Sequence, residues 1–175
     1  MGASVAGWVA ARVQIDEVPG RPRLAELAVE LGHSPEFWRH FVRHTPEERY
    51  FAQLYRDENV DVWLICWLEQ QETGFHDHDR SSGAVYVCEG TLLEDRLNFN
   101  GRGFVETTRK WVAGTVFDFD AAYIHRMRGG PEPSTSIHVY APALWRMGYY
   151  EPDRSGALCR ASITYADELG AGSYA

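Results

Sequence analysis

Positive charge is scarce in this sequence: 17 Lys and Arg stand against 25 Asp and Glu, for a formal net charge of −8. A phosphate backbone needs a basic face to neutralise it, so a nucleic-acid partner is not expected. Cysteine is scarce too. Cys66, Cys88 and Cys159 are an odd number without metal-ligand spacing. The first two lie inside the apolar runs "VWLICWL" and "AVYVCEG", where a thiol acts as a small hydrophobe. That usage argues for a reducing, cytoplasmic compartment and against a disulfide framework. Long apolar runs are missing altogether. None approaches the roughly 18 residues of a membrane span, so no membrane partner is expected. The apolar start "MGASVAGWVA" has no basic segment before it, which argues against a secretory signal.

What the chain does have is aromatic bulk. Six Trp, nine Tyr and eight Phe in 175 residues predict a packed interior, and the length suits one domain over 1–175. Residues 1–48 read as a helical segment. In "RPRLAELAVELG", Leu24, Leu27, Ala28 and Leu31 recur at helical spacing, and Gly32 is a stop signal. "HSPEFWRHFVRH" predicts a further helix, with Ser34 as cap and Pro35 in its first turn. "TPEE" at 45–48 has the spacing of a capping box. From 49 to 150 the pattern changes to short runs rich in β-branched and aromatic residues, separated by Gly, Asn, Asp and Pro. The fold class expected is mainly β: a small antiparallel barrel or jelly roll with N-terminal helices. Residues 151–175 read as a polar, Gly-rich tail that wraps the barrel or hangs loose.

The chemistry concentrates in "GFHDHDRSSGAVYVCEG". His76 and His78 are two apart, so on a strand both imidazoles point to one face and Asp77 to the other. In a barrel that face is the lumen. His125, after another predicted strand and turn, is the candidate third ligand. Three neutral imidazoles leave coordination positions open, which suits a catalytic Zn, Fe or Cu. Residue chemistry alone does not choose among them.

These residues resemble a cupin. His76, His78 and Gly90 match the first cupin motif, with Gln70 at its opening glycine and Gly83 where a glutamate ligand belongs. Gly114 and His125 match the second motif, in which Asp120, Ala122 and Gly129 replace the usual proline, glycine and asparagine. A three-histidine cupin without the glutamate resembles the thiol dioxygenases, the family of cysteine dioxygenase type I. "HDHDRSS" is similar to that family's His-Asp-His-x2-Ser signature. "SIHVYAP" is similar to its Ser-x-His-x-Tyr-x-Pro segment, and the resemblance runs from about 49 to 142.

The resemblance implies Fe(II) on His76, His78 and His125, and a small thiol and O2 as the substrates. It implies catalytic roles for Tyr140, His138 and Ser136. The product it implies is a sulfinic acid of cysteine or of a related thiol such as 3-mercaptopropionate, made by a monomer or small homo-oligomer. Vertebrate members carry, at the place of Gly83, a cysteine crosslinked to the active-site tyrosine, so Tyr140 is expected to be unlinked. Members acting on cysteine hold its carboxylate with an arginine that aligns with Gln53. A glutamine there resembles the branch preferring 3-mercaptopropionate. Arg56 is the alternative source of charge for substrate binding, although it faces the other way on an unbroken strand. Met147, with Trp145 and Tyr149, is expected to line the pocket beside Tyr140. The changed carboxylate position also leaves open a specialised iron oxygenase that oxidises cysteine or another small molecule differently.

Overall fold

The chain is described here from a computed structural model, over residues 4–13, 17–99, 104–154 and 157–165. Two helices come first, α1 (Val5–Ala10) and α2 (Arg21–Gly32). The strands are β1 (Phe51–Arg56), β2 (Asp61–Trp67), β3 (Phe75–Asp77), β4 (Ser82–Glu89), β5 (Thr91–Phe99) and β6 (Phe104–Val112). They continue with β7 (Val116–Phe119), β8 (His125–Gly129), β9 (Ser134–Ala141), β10 (Arg146–Pro152) and β11 (Leu158–Tyr165). One sheet has the order β1-β2-β9-β4-β7 and the other β11-β10-β3-β8-β5-β6. Neighbouring strands pair antiparallel throughout. The expected mainly β architecture of two antiparallel sheets with helices in front is what forms.

The first sheet is covered on both sides, and its alternation sorts the chain into two cores. On β2, Val62, Leu64 and Cys66 join Ile137 and Val139 of β9 beneath the apolar stripe of α2. Trp63 and Trp67, one residue out of step, join Val85, Val87, Phe119 and Tyr140 between the sheets. Leu24, Leu27, Ala28 and Leu31 of α2 are all buried, and each fully buried leucine contributes roughly 1.5–3 kcal/mol. Helix α2 ends at Gly32, as expected, and a side chain there is excluded as well, since a Cβ would run into the Tyr86 ring.

Three expectations need correction. The segment after α2 forms two 3₁₀ turns, Pro35–Phe37 and Arg39–Phe41, instead of a helix. Ser34 does not cap it, because its hydroxyl donates back to the Glu30 carbonyl at 3.0 Å. Buried Trp38 folds the chain against the end of α2, with its indole donating to the Leu31 carbonyl at 3.1 Å. No helical turn forms at 45–48, where Thr45 Oγ1 donates to the Glu48 carbonyl. The C-terminal segment is not a loose tail, since β11 pairs with β10 from Leu158↔Pro152 to Tyr165↔Arg146. It is an edge strand with mostly exposed side chains, held by its backbone, which is why its sequence carries little apolar signal. The rest of that segment, 166–175, lies outside the described residues.

Candidate metal centre

Strand β3 is only three residues long, yet it sits between β10 and β8, with His76 opposite Tyr149 on one side and His125 on the other. This register carries His125 across 49 residues of chain to face the His-x-His pair. The ligand atoms of His76, His78 and His125 all lie within 4.8 Å of one another, and the three side chains are buried. Asp77 points the other way, as the alternation requires. It accepts from Tyr150 Oη, and Arg160 Nη2 donates to it at 2.7 Å. It also accepts the Asp79 amide in a local turn, where Asp79 has a left-handed φ of 56°. Asp77 therefore anchors the ligand loop to β10 and β11.

The histidines fit a metal ion. His76 Nδ1 is engaged with the Gly74 carbonyl at 3.0 Å, and His125 Nδ1 with Glu94 Oε1 at 3.1 Å. His125 Nε2 and His78 Nδ1 are buried without any hydrogen-bond partner. Orphaned buried nitrogens are costly unless something binds them. Burial, helped by the like charge of His125, pushes His76 down to about 3. Burial and then the charges of His76 and His125 press His78 well below its ordinary value. Neutral imidazole is the form that ligates.

Glu94 on β5 is the residue that sequence reasoning missed. Its carboxylate, 1% exposed, accepts from Tyr123 Oη at 2.8 Å and Trp111 Nε1 at 3.0 Å as well as from His125. Burial would raise its pKa, but these donors outweigh burial and hold it below the usual carboxylate range. A carboxylate behind a ligand histidine fixes its tautomer and orientation. The available signal was the alternation in "TLLEDRL", which puts Glu94 on the same side as inward-facing Leu92.

A cavity of about 60 Å³ opens onto His76 and His125. Met147, Tyr149, His138 and Tyr140 line it. On β9, Ser136 Oγ lies 2.9 Å from His138 Nε2, and His138 Nδ1 lies 3.1 Å from Tyr140 Oη. Trp67 Nε1 donates to Ser136 Oγ at 2.9 Å. Trp145, expected to line the cavity, is instead 43% exposed, with the guanidinium groups of Arg80 and Arg146 over its ring. Gln53 and Arg56 are also absent from the lining. Gln53 Nε2 donates to Asp61 Oδ1 at 3.0 Å and Arg56 Nη1 to Asp61 Oδ2 at 3.1 Å, and Asp61 is fully buried. A register shift between Gln53 and Tyr55 breaks the strand there, so both side chains reach the same carboxylate. Gly83 pairs with Tyr140 across the sheet. A Cβ at Gly83 would lie 2.7 Å from Phe119 Cε2 and closer still to Cζ, so no larger side chain fits there unless Phe119 moves.

Comparison with known proteins agrees with this geometry. Cysteine dioxygenase type 1 of Danio rerio is 22% identical over 147 residues, covering 78% of this chain and 72% of the relative. The Homo sapiens protein of the same name is 23% identical over 146 residues, with the same shares covered. Among solved structures, a Klebsiella pneumoniae protein with a double-stranded β-helix domain superposes with a TM-score of 0.51. It is 19% identical, and the match covers 73% of this chain and 92% of that one. A Thermus thermophilus protein gives a TM-score of 0.50 at 23% identity, covering 60% and 93%. Such likenesses show the fold. The model of the family "Cysteine dioxygenase type I" matches residues 12–152, and the chain belongs to that family.

Proposed function

We propose that this protein is a non-haem Fe(II) thiol dioxygenase that converts the thiol of cysteine, or of a related small thiol such as 3-mercaptopropionate, to the sulfinic acid with O2. The observation that carries the reading is the three-histidine cluster, which among the described residues no carboxylate joins as a further ligand, closed at Gly83 by the Phe119 ring. Iron held by His76, His78 and His125 would supply positive charge that favours thiolate over thiol, and a place where sulfur and dioxygen meet. The net reaction is balanced: dioxygen is cleaved, both its atoms end on sulfur, and the four electrons it gains come from that sulfur.

The chain's own residues support this chemistry by orientation and by proton placement. Trp67 occupies one lone pair of Ser136, which leaves the Ser136 hydroxyl free to donate to His138 Nε2. His138 then carries its proton on Nδ1 and donates to Tyr140 Oη. Tyr140 keeps its own proton for a group in the cavity. Burial raises the Tyr140 pKa and lowers that of His138 to about 3, so the relay is neutral and proton-loaded at neutral pH. The free thiols of Cys66, Cys88 and Cys159 fit a reducing, cytoplasmic setting. Among the described residues no helix is long and apolar enough to cross a membrane.

The test is anaerobic reconstitution with Fe(II), then incubation in air with cysteine, 3-mercaptopropionate and cysteamine in turn. A product heavier by two oxygen atoms from one thiol, lost in His76→Ala, is expected. Oxygen uptake with a different product mass would point to the specialised oxygenase. No uptake from any of the three would refute thiol oxidation.

A further inference from the structure

Among the described residues, the cavity holds one charged side chain outside the histidine cluster. Arg49, just before β1, lines it together with His76, Tyr140 and Tyr149. Its guanidinium lies over the Trp67 ring at 4.9 Å, and Nη1 donates to the Glu72 carbonyl at 2.6 Å. Nε is buried and has no partner. Among the described residues no carboxylate pairs with Arg49, and burial accordingly lowers its pKa. Its charge is felt at His76, His138, Tyr140 and Tyr149, which line the cavity from β3, β9 and β10. Among the described residues no acidic side chain lines the cavity. Arg56, the alternative that the sequence offered, is already matched by Asp61.

A half-buried guanidinium fixed by stacking and one carbonyl, with its charge unmatched on the cavity wall and its Nε buried without a partner, is a standing cost until an anion arrives. We propose that Arg49 binds the carboxylate of the substrate, taking over the role that falls to the Gln53 position in relatives, and so selects small thiols that carry an acid group. The choice of a thiol rests on the function proposed above; the anion site does not. A carboxylate offers two acceptors to the free edge of the guanidinium, a geometry that the planar fork matches. A positively charged thiol such as cysteamine meets Arg49 with like charge and finds no counter-ion on the cavity wall.

The test compares 3-mercaptopropionate with 1-propanethiol, which has the same sulfur and carbon chain without the acid, in iron-loaded wild type, Arg49→Gln and Arg49→Lys. Arg49→Gln is expected to raise KM for 3-mercaptopropionate about 10- to 100-fold more than it changes KM for 1-propanethiol, and to change kcat for the acid by less than about threefold. Arg49→Lys is expected to recover part of the preference. A folded Arg49→Gln that still prefers the acid as strongly as wild type would overturn the proposal.

A second readout needs neither iron nor a stable variant. In ¹⁵N-labelled metal-free wild type, the Arg49 Nε–H resonance is expected to shift with 3-mercaptopropionate and with propionate, and not with 1-propanethiol. No shift with either acid would refute the anion site even if Arg49→Gln fails to fold. A shift without any thiol oxidation by the iron-loaded protein would sink the dioxygenase reading and leave the anion site standing.

Discussion

Replacing Gly83 by alanine adds one methyl group, and the consequences can be worked from its surroundings. The new Cβ would lie 2.7 Å from Phe119 Cε2 and 3.0 Å from Tyr140 Cδ1. Phe119 is 1% exposed and has no open side to move into. Its ring centroid is 4.7 Å from that of His78, 5.0 Å from His125 and 5.7 Å from Tyr123. Overpacking of this kind costs about 1–3 kcal/mol. For a chain of this size each kcal/mol lowers Tm by roughly 2–4 °C, so a fall of about 2–12 °C is expected in the metal-free protein. Because the displaced ring touches two ligand histidines, bound iron per chain should fall as well. Phe119→Leu makes room, and the double variant should be more stable than the sum of the single changes by about 1 kcal/mol. Thermal unfolding of the four proteins, with iron content measured alongside, decides the matter. A Gly83→Ala protein with the Tm and iron content of wild type, or a coupling of zero, would refute the idea that Phe119 reserves this space.

Three other perturbations have expected outcomes. Glu94→Gln replaces an acceptor of three hydrogen bonds by an amide that must present its NH2 group to a donor, so metal affinity should fall about 10- to 100-fold; chelator competition reads it, and an unchanged affinity would remove Glu94 from the site. Tyr140→Phe should keep metal content and lower kcat about 10- to 100-fold, whereas equal loss of iron would make Tyr140 structural. The metal-free protein should lose stability as pH falls. His76 and His138 are held at about 3 in the fold, below their ordinary values, so the unfolded chain takes up protons first. Stability is full above roughly pH 6.5 and declines from there towards about 3, by up to about 1.4 kcal/mol per pH unit for each histidine. Urea unfolding midpoints at pH 7 and pH 5 test this, and a flat profile would count against neutral buried histidines.

The three-histidine cluster was legible because its signal is local. Two histidines at period two need only a strand, and a third after another strand needs only an antiparallel neighbour. The strands of the first sheet were harder to delimit, since β9 is buried at every position. One face meets α2 and the other the barrel interior, so the polar half of the alternation disappears. Strand β11 was missed for the opposite reason: it completes an edge through backbone pairing, with mostly exposed side chains. Arg49 left no signal at all. Its importance comes from an absent partner, and a missing counter-charge is a property of three dimensions. Gln53 and Arg56 show the converse, since their charge and polarity were legible while the buried Asp61 that absorbs both was not.

The clamp on the ligand loop also sets an order of events during synthesis. Asp77 lies between His76 and His78, yet the arginine that holds it, Arg160, comes 83 residues later. Gly148 is the gap that lets this arginine cross β10, since a Cβ there would run into its guanidinium. At about 5–20 residues per second, roughly 4–17 s separate the translation of the two partners. His125 is made in that interval, so the three ligands exist before the clamp that steadies two of them. A metal ion that met the chain before Arg160 is made would find the imidazoles on a loop that this clamp does not yet hold.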